Sequence, residues 1–208
     1  MPGLSVQVNG ERMARIDLSG LNLVNVSVHG ALDSEQYAML HANGGQYGDG
    51  GSGHLTWIAE HALTPGDVLT LTYMEACEGG DDGKTIAQLW PDEPPSTRTD
   101  WSIDSRMEAE IRARPRLREG FLVQAAMSAG ACVTAASDAR NTDFSFSVLW
   151  TGFGEERARV RLATYCLDDV LQRTGGTEYL ATVMSFGDSA TFSLLAYPEA
   201  GTRPGLSG

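Results

Sequence analysis

The chain has 208 residues, 42% of them hydrophobic and 20% charged, with 15 Lys and Arg against 27 Asp and Glu and a formal net charge of −12. That balance fits one larger or two small globular domains and excludes a disordered chain. With no cationic surplus to release counterions from nucleic acid or to hold an anionic lipid surface, neither is an expected partner; solubility and fast association with basic proteins are.

The amino terminus, "MPGLSVQVNGERMARIDL", has neither the basic nor the apolar stretch of a signal peptide. No run reaches the ~20 apolar residues that cross a bilayer, so a cytoplasmic location is expected. Leu4, Val6 and Val8 alternate with polar residues, Asn9-Gly10 supplies a turn that tolerates positive φ, and alternation resumes at Ala14, Ile16 and Leu18. This spacing predicts a hairpin. Val24, Val26 and Val28 predict a third antiparallel strand on the same buried face.

"ALDSEQYAMLHA" reads either as a short helix capped at Asp33-Ser34-Glu35 or as a strand over "YAMLHA", and the glycine-rich run Gly44 to Gly53 reads as a loop. "HLTWIAEHAL" reads as a strand. Thr64 to Asp67, "TPGD", suits a type II turn, because Pro65 sets φ and Gly66 accepts a positive one. "VLTLTYMEA" is the next strand. The 24 glycines as a set point to many short strands.

"EGGDDGKT", Glu78 to Thr85, ends like a phosphate-binding loop. The G-x-x-x-x-G-K-[ST] frame needs glycine where Glu78 stands, and Asp81 and Asp82 would place carboxylates inside the phosphate cradle. "KTIAQLW" is too short before Pro91 for the helix such a loop requires. The stretch therefore reads as an acidic turn followed by one helical turn. Pro91, Pro94 and Pro95 mark a linker over residues 91–103, between a β-rich part at 1–90 and another at 104–208.

In the second part, Ser102 or Asp104 starts a helix that carries Met107 and Ile111 and ends before Pro115. Four strands follow, in "FLVQAAMS", "ACVTAAS", "DFSFSVLW" and "ARVRLATYCL". "LDDVLQRTGGTEYLATVMSFGD" has helical spacing in two pieces split by Gly175-Gly176. "SATFSLLAY" closes the fold, and the tail from Pro198 has the composition of a disordered end. The predicted fold is mainly β, an antiparallel sandwich with a few short helices. "LTPGDVLTLTYMEA" and "MSFGDSATFSLLAY" echo each other, each passing through a Gly-Asp turn into the last strand of its part. A duplicated unit accounts for the echo, and so does ordinary turn chemistry.

The three cysteines, Cys77, Cys132 and Cys166, are odd in number and form no CxxC pair, so free thiols buried in strands or at their edges are expected rather than disulfides or zinc. Glu75 and Glu78 beside Cys77 would raise its pKa and blunt it as a nucleophile. No GxSxG occurs. All four histidines, His29, His41, His54 and His61, fall in the first 61 residues near Asp33, Glu35, Asp49 and Glu60, but without an HxH or HExxH spacing.

The expected site is the acidic region Glu75, Glu78, Asp81, Asp82, Trp90, Asp92 and Glu93, facing a basic protein partner. Trp90 and Trp101 flank the linker and would either anchor that partner or pin the linker. The expected function is that of a non-enzymatic acidic binding protein of the bacterial cytoplasm, without a cofactor; an immunity-type inhibitor of a basic toxin is its concrete form. The alternative is a metal-assisted hydrolase or small-ligand enzyme using His29, His41, His54 and His61 as ligands or bases. A structural subunit or homo-oligomer is the third reading.

"VNVSVHG", "LTPGDVLTLTYMEA", "GKTIAQLWPDEPPST", "FSFSVLW" and "ERARVRLATYCLDD" together resemble a family of uncharacterised bacterial proteins, stand-alone chains of about this length. The resemblance brings no assigned activity and so no functional residue. It implies that "GKTIAQLWPDE" is a feature of the region between the two parts.

Overall fold

The structure, a computed structural model, describes residues 1–48, 53–92, 103–153 and 157–198. The first part of the chain forms β1 (Gly3–Val8), β2 (Glu11–Asp17), β3 (Leu23–Ala31), β4 (Ala38–Gln46), β5 (Gly53–Leu63) and β6 (Val68–Met74). Two helices follow, α1 (Ile86–Leu89) and α2 (Ser105–Arg112). The second part forms β7 (Leu122–Met127), β8 (Cys132–Ala136), β9 (Asp143–Thr151), β10 (Arg157–Tyr165), α3 (Leu167–Gln172), β11 (Thr177–Met184) and β12 (Ser189–Leu195). Among the described residues no helix is long and apolar enough to cross a membrane.

The strands build two six-stranded antiparallel sheets, β2-β1-β6-β12-β7-β8 and β11-β10-β9-β3-β4-β5. Alternation puts one face of each strand inward. Leu4, Val6 and Leu71 of the first sheet and Val26, Phe146 and Leu162 of the second are fully buried in one continuous core. Two contacts fix the sheets face to face. Phe192 of β12 stacks on Phe146 of β9 with ring centroids 5.1 Å apart, and Trp150 Nε1 donates to the Tyr73 hydroxyl at 3.3 Å.

Each sheet takes strands from both sides of the 91–103 segment. The parts expected on either side therefore share one core. They also share one plan: the first part contributes β2-β1-β6 and β3-β4-β5, and the second contributes β8-β7-β12 and β9-β10-β11 in the same relative order. Exchanging the parts reverses each sheet and leaves its order unchanged, which is a two-fold pseudo-symmetry. The parts meet where β6 pairs with β12, Thr70 opposite Thr191, and where β3 pairs with β9, Ser27 opposite Ser147.

The symmetry reaches individual hydrogen bonds. Asp67 accepts from the Thr64 N–H and Asp188 from the Ser185 N–H, each at 2.7 Å. Gly66 N–H donates to Leu194 O, and Gly187 N–H donates to Tyr73 O, also at 2.7 Å each. Asn9 and Ser128 both donate a side-chain hydrogen bond to the aspartate of their turn and accept one from the strand that follows. The echo read in the sequence is this repeated turn, with Gly66 at φ +105° and Gly187 at +87°.

Several local expectations hold. Asn9 and Gly10 take φ of 54° and 82° and close the first hairpin, and α2 starts at Asp104, whose carboxylate accepts from the Met107 N–H. Others are corrected. β3 leaves the first hairpin and joins the opposite sheet. Of the two readings of "ALDSEQYAMLHA" the strand holds, from Ala38, and it continues into the expected glycine-rich loop as far as Gln46; residues 49–52 lie outside the described residues. The second helical piece of "LDDVLQRTGGTEYLATVM" is β11: Arg173, Gly175 and Gly176 at positive φ end α3, and pairing with β10 overrides the helical spacing. Cys166 stands at the edge of β10 as expected, where it is the N-cap of α3, but of the three free thiols only Cys77 is buried. The linker residues from Glu93 to Ser102 and the tail from Glu199 lie outside the described residues.

Candidate functional site

The acidic stretch forms a strap. From the end of β6, residues 75–92 run past β2, the edge of one sheet, to β5, the edge of the other. Backbone and side-chain bonds hold it there. Cys77 N–H donates to Met1 O, and Asp81 N–H donates to Arg15 O, each at 2.7 Å. Arg15 N–H returns a bond to Asp81 Oδ2 at 2.7 Å, and Trp57 Nε1 donates to Asp81 O at 2.9 Å. Lys84 and Thr56 exchange two backbone bonds of 2.8 Å. Edge strands otherwise present unpaired N–H and C=O groups that invite pairing with other chains; the strap occupies part of both edges.

Two glycines permit this approach. A Cβ on Gly80 would lie 2.9 Å from the Asp17 nitrogen, and one on Gly83 would lie 2.9 Å from Leu55 Cβ. The Arg15 side chain is half-buried beneath the strap. Its Nη1 donates to Glu78 O at 3.1 Å, while its buried Nε has no hydrogen-bond partner. Burial, and next the Asp17 charge, push the Cys77 thiol up; the expected direction holds, with Asp17 in the place given to Glu75 and Glu78.

Past the bridge, Thr85 and Gln88 form a reciprocal capping box around α1. The helix is one turn long and buries none of its residues. Ile86 is consequently 55% exposed and Trp90, at its C-cap, 41% exposed. Glu75, Glu78, Asp82 and Asp92 of the same strap are exposed, whereas the Asp81 carboxylate is committed to Arg15. Glu93, Asp100 and Trp101 lie outside the described residues. Over residues 75–92 the chain carries five carboxylates and one lysine. The stretch has no phosphate cradle, since the N–H groups of Asp81 and Lys84 already bind Arg15 and Thr56.

The four histidines are not gathered. His29 and His41 share the outer face of the second sheet, with ring centroids 6.5 Å apart. His41 Nδ1 lies 2.6 Å from Ala59 O. Desolvation, and then His41, hold His29 below the usual histidine range. His54 pairs with the Tyr47 hydroxyl at 2.9 Å, and His61 stands on β5 opposite Leu40 of β4. Among the described residues no three His, Cys, Asp or Glu side chains converge as metal ligands.

The sequence reading did not single out Ile86, Arg15 or Trp57. Ile86 carried a signal: one helical turn between Gly83 and Pro91 has no length to bury an apolar face, so its isoleucine must face solvent. Arg15 and Trp57 carried none, because their role depends on where the strap lands. No family model matches the chain, and neither a curated protein nor a solved structure matches it.

Proposed function

We propose that the protein is a non-enzymatic binding protein that engages a basic protein partner through the strap. The observation that carries this reading is the placement of Ile86 and Trp90: both stand exposed at a one-turn helix on a strap tied to both sheets, and the same strap exposes Glu75, Glu78, Asp82 and Asp92. An apolar and aromatic centre inside a charged rim is the anatomy of a protein–protein hot spot. The rim steers a basic partner and speeds encounter; the centre, desolvated on contact, slows release. Because Lys84 and Asp81 are already bonded, the surface is ordered before binding and loses little further freedom. An immunity-type inhibitor that covers the cleft of a basic toxin is the concrete form of this reading.

The test uses the full chain as bait in a bacterial lysate, beside an Ile86→Ala/Trp90→Ala variant and a Glu78→Lys/Asp82→Lys variant. Asp81 stays untouched because it holds the strap. A basic protein should be retained by the wild type and lost from the first variant, with a loss of about 2 kcal/mol or more for the aromatic anchor. The charge-reversed variant should associate about tenfold or more slowly at low salt and converge with wild type at high salt. Equal capture by all three proteins, or capture only of neutral and acidic proteins, would overturn the reading.

A further inference from the structure

A cleft lined mostly by the second part of the chain, with Leu32 and Asp33 of the first, lies apart from the strap, with β3 and β4 between β9, at its floor, and β5, under the strap. Its volume is about 400 Å³, the scale of a small-molecule site. In a chain of net charge −12, four arginines line it: Arg112 at the end of α2, Arg114 and Arg116 on either side of Pro115, and Arg140 before β9. Two are neutralised within the fold. Arg112 pairs with Glu108 at 2.9 Å and with Asp168, and Arg140 pairs with Asp169 at 2.7 Å.

The other two are not. Among the described residues the Arg114 side chain makes no hydrogen bond or ion pair, its backbone N–H alone donating to Ile111 O, and the Arg116 side chain makes a single 3.3 Å hydrogen bond to the Ala139 carbonyl. Pro115 fixes the backbone φ between them. Facing them, the floor holds the Tyr165 ring and the Asp143 carboxyl, which accepts from the Thr142 hydroxyl at 2.6 Å. Asp33 also lines the cleft, and burial, and then the Asp33 charge, raise the Asp143 pKa against the opposing Thr142 hydrogen bond. Ile111 and Val170 supply apolar wall.

We propose that this cleft binds a small organic anion, with its carboxylate or phosphate on Arg114 and Arg116, its body against Ile111 and Val170, and a hydroxyl within reach of Tyr165. Guanidinium forks pair with either oxyanion in bidentate fashion, and charge-assisted bonds of this kind are the strong ones. The apolar walls of Ile111 and Val170 distinguish this open cleft from scattered surface arginines, which would hold a bare ion as well as an organic one. The proposal is independent of the strap and of its partner.

The test is calorimetric titration of the full chain with inorganic phosphate, a sugar phosphate, and a hydroxylated and a plain dicarboxylate. At least one organic anion should bind more tightly than inorganic phosphate, saturating at one site per chain. The phosphate and carboxylate arms identify the head group. Arg114→Ala/Arg116→Ala should weaken that binding by about tenfold or more, one lost charge-assisted bond being enough for that factor, without lowering Tm, since neither side chain supports the fold. Tyr165→Phe should weaken the hydroxylated probe and leave the plain one unchanged. The proposal is overturned if no organic anion binds at millimolar concentration, if inorganic phosphate binds as well as every organic probe, or if the double variant binds like wild type.

Discussion

The two halves of this molecule have the same strand order and the same turns, yet they fill the core differently. Counted from the Ser27–Ser147 pair at the symmetry axis, Val24, Val26 and Gly30 in the first half stand where Phe144, Phe146 and Trp150 stand in the second. The large residues of one half fit against the small ones of the other. A Cβ on Gly30 would lie 2.4 Å from the Phe144 ring, and Val24 pairs with Trp150. Two identical halves could not do this: the equivalent of Gly30 is Trp150, so a tryptophan would meet Phe144 where glycine now does. The lesson is that pseudo-symmetry in the backbone allows asymmetry in the core, and the asymmetry makes each half depend on the other.

The halves also differ at their edges. The first ends in the strap, which bridges β2 and β5; among the described residues nothing bridges the equivalent β8 and β11 in that way. The second half instead inserts α3 after β10. There, buried Asp169 accepts from Cys166 N–H at 3.1 Å, from the Thr174 hydroxyl at 2.8 Å and from Arg140 at 2.7 Å. Each half thus carries its own addition on a common frame. The proposed partner surface is the first half's addition, and the proposed anion cleft forms around the second's.

The strongest way to break this comparison is to remove a large residue from the shared core. Phe146→Ala should cost about 3–5 kcal/mol. Because both halves share that core, unfolding in urea should remain one transition, with tryptophan fluorescence and far-ultraviolet circular dichroism coincident; two transitions would mean that the halves fold separately. A smaller effect sharpens the equivalence of the turns. Asp67→Ala and Asp188→Ala should each cost about 1 kcal/mol, and clearly unequal costs in the two turns would argue against equivalent roles.

The third expectation concerns pH and belongs to the second half alone. Hydrogen bonds from Thr174 and Cys166, and then the Arg140 charge, hold Asp169 down to about 2, against an ordinary 3.8. The folded value lies below the unfolded one, so this stabilisation is complete above about pH 4 and drains away as pH falls toward 2. Asp169→Asn should lower stability at neutral pH and flatten the acid-unfolding profile in that window. A profile as steep as wild type would place the acid sensitivity elsewhere.

Local chemistry was legible in the residues. Asn9-Gly10, Pro65-Gly66 and Asp104 announced a hairpin, a turn and a helix start because positive φ, a fixed φ and a side-chain cap act within four residues. Period-two alternation at Leu4, Val6 and Val8 announced which face is buried. The acidic run from Glu75 to Asp92 was visible as charge, and the Gly-Asp echo as a repeated turn. All of these depend on neighbours in the chain.

What the chain could not declare is which strand lies beside which. Alternation tells a strand that it has an inner face but not which sheet supplies the other layer, so β3 was free to leave the first hairpin and pair with β9, more than a hundred residues away. The same gap hid Arg15 and Trp57, which matter only because the strap passes over them, and it separated four histidines that crowd together in the sequence. It hid the cleft as well, whose arginines come from α2, the loop after it and the approach to β9. Backbone propensity is a short-range property. Sheet order is decided by which long-range pairing buries the most apolar surface at once, and that sum exists only in the folded molecule.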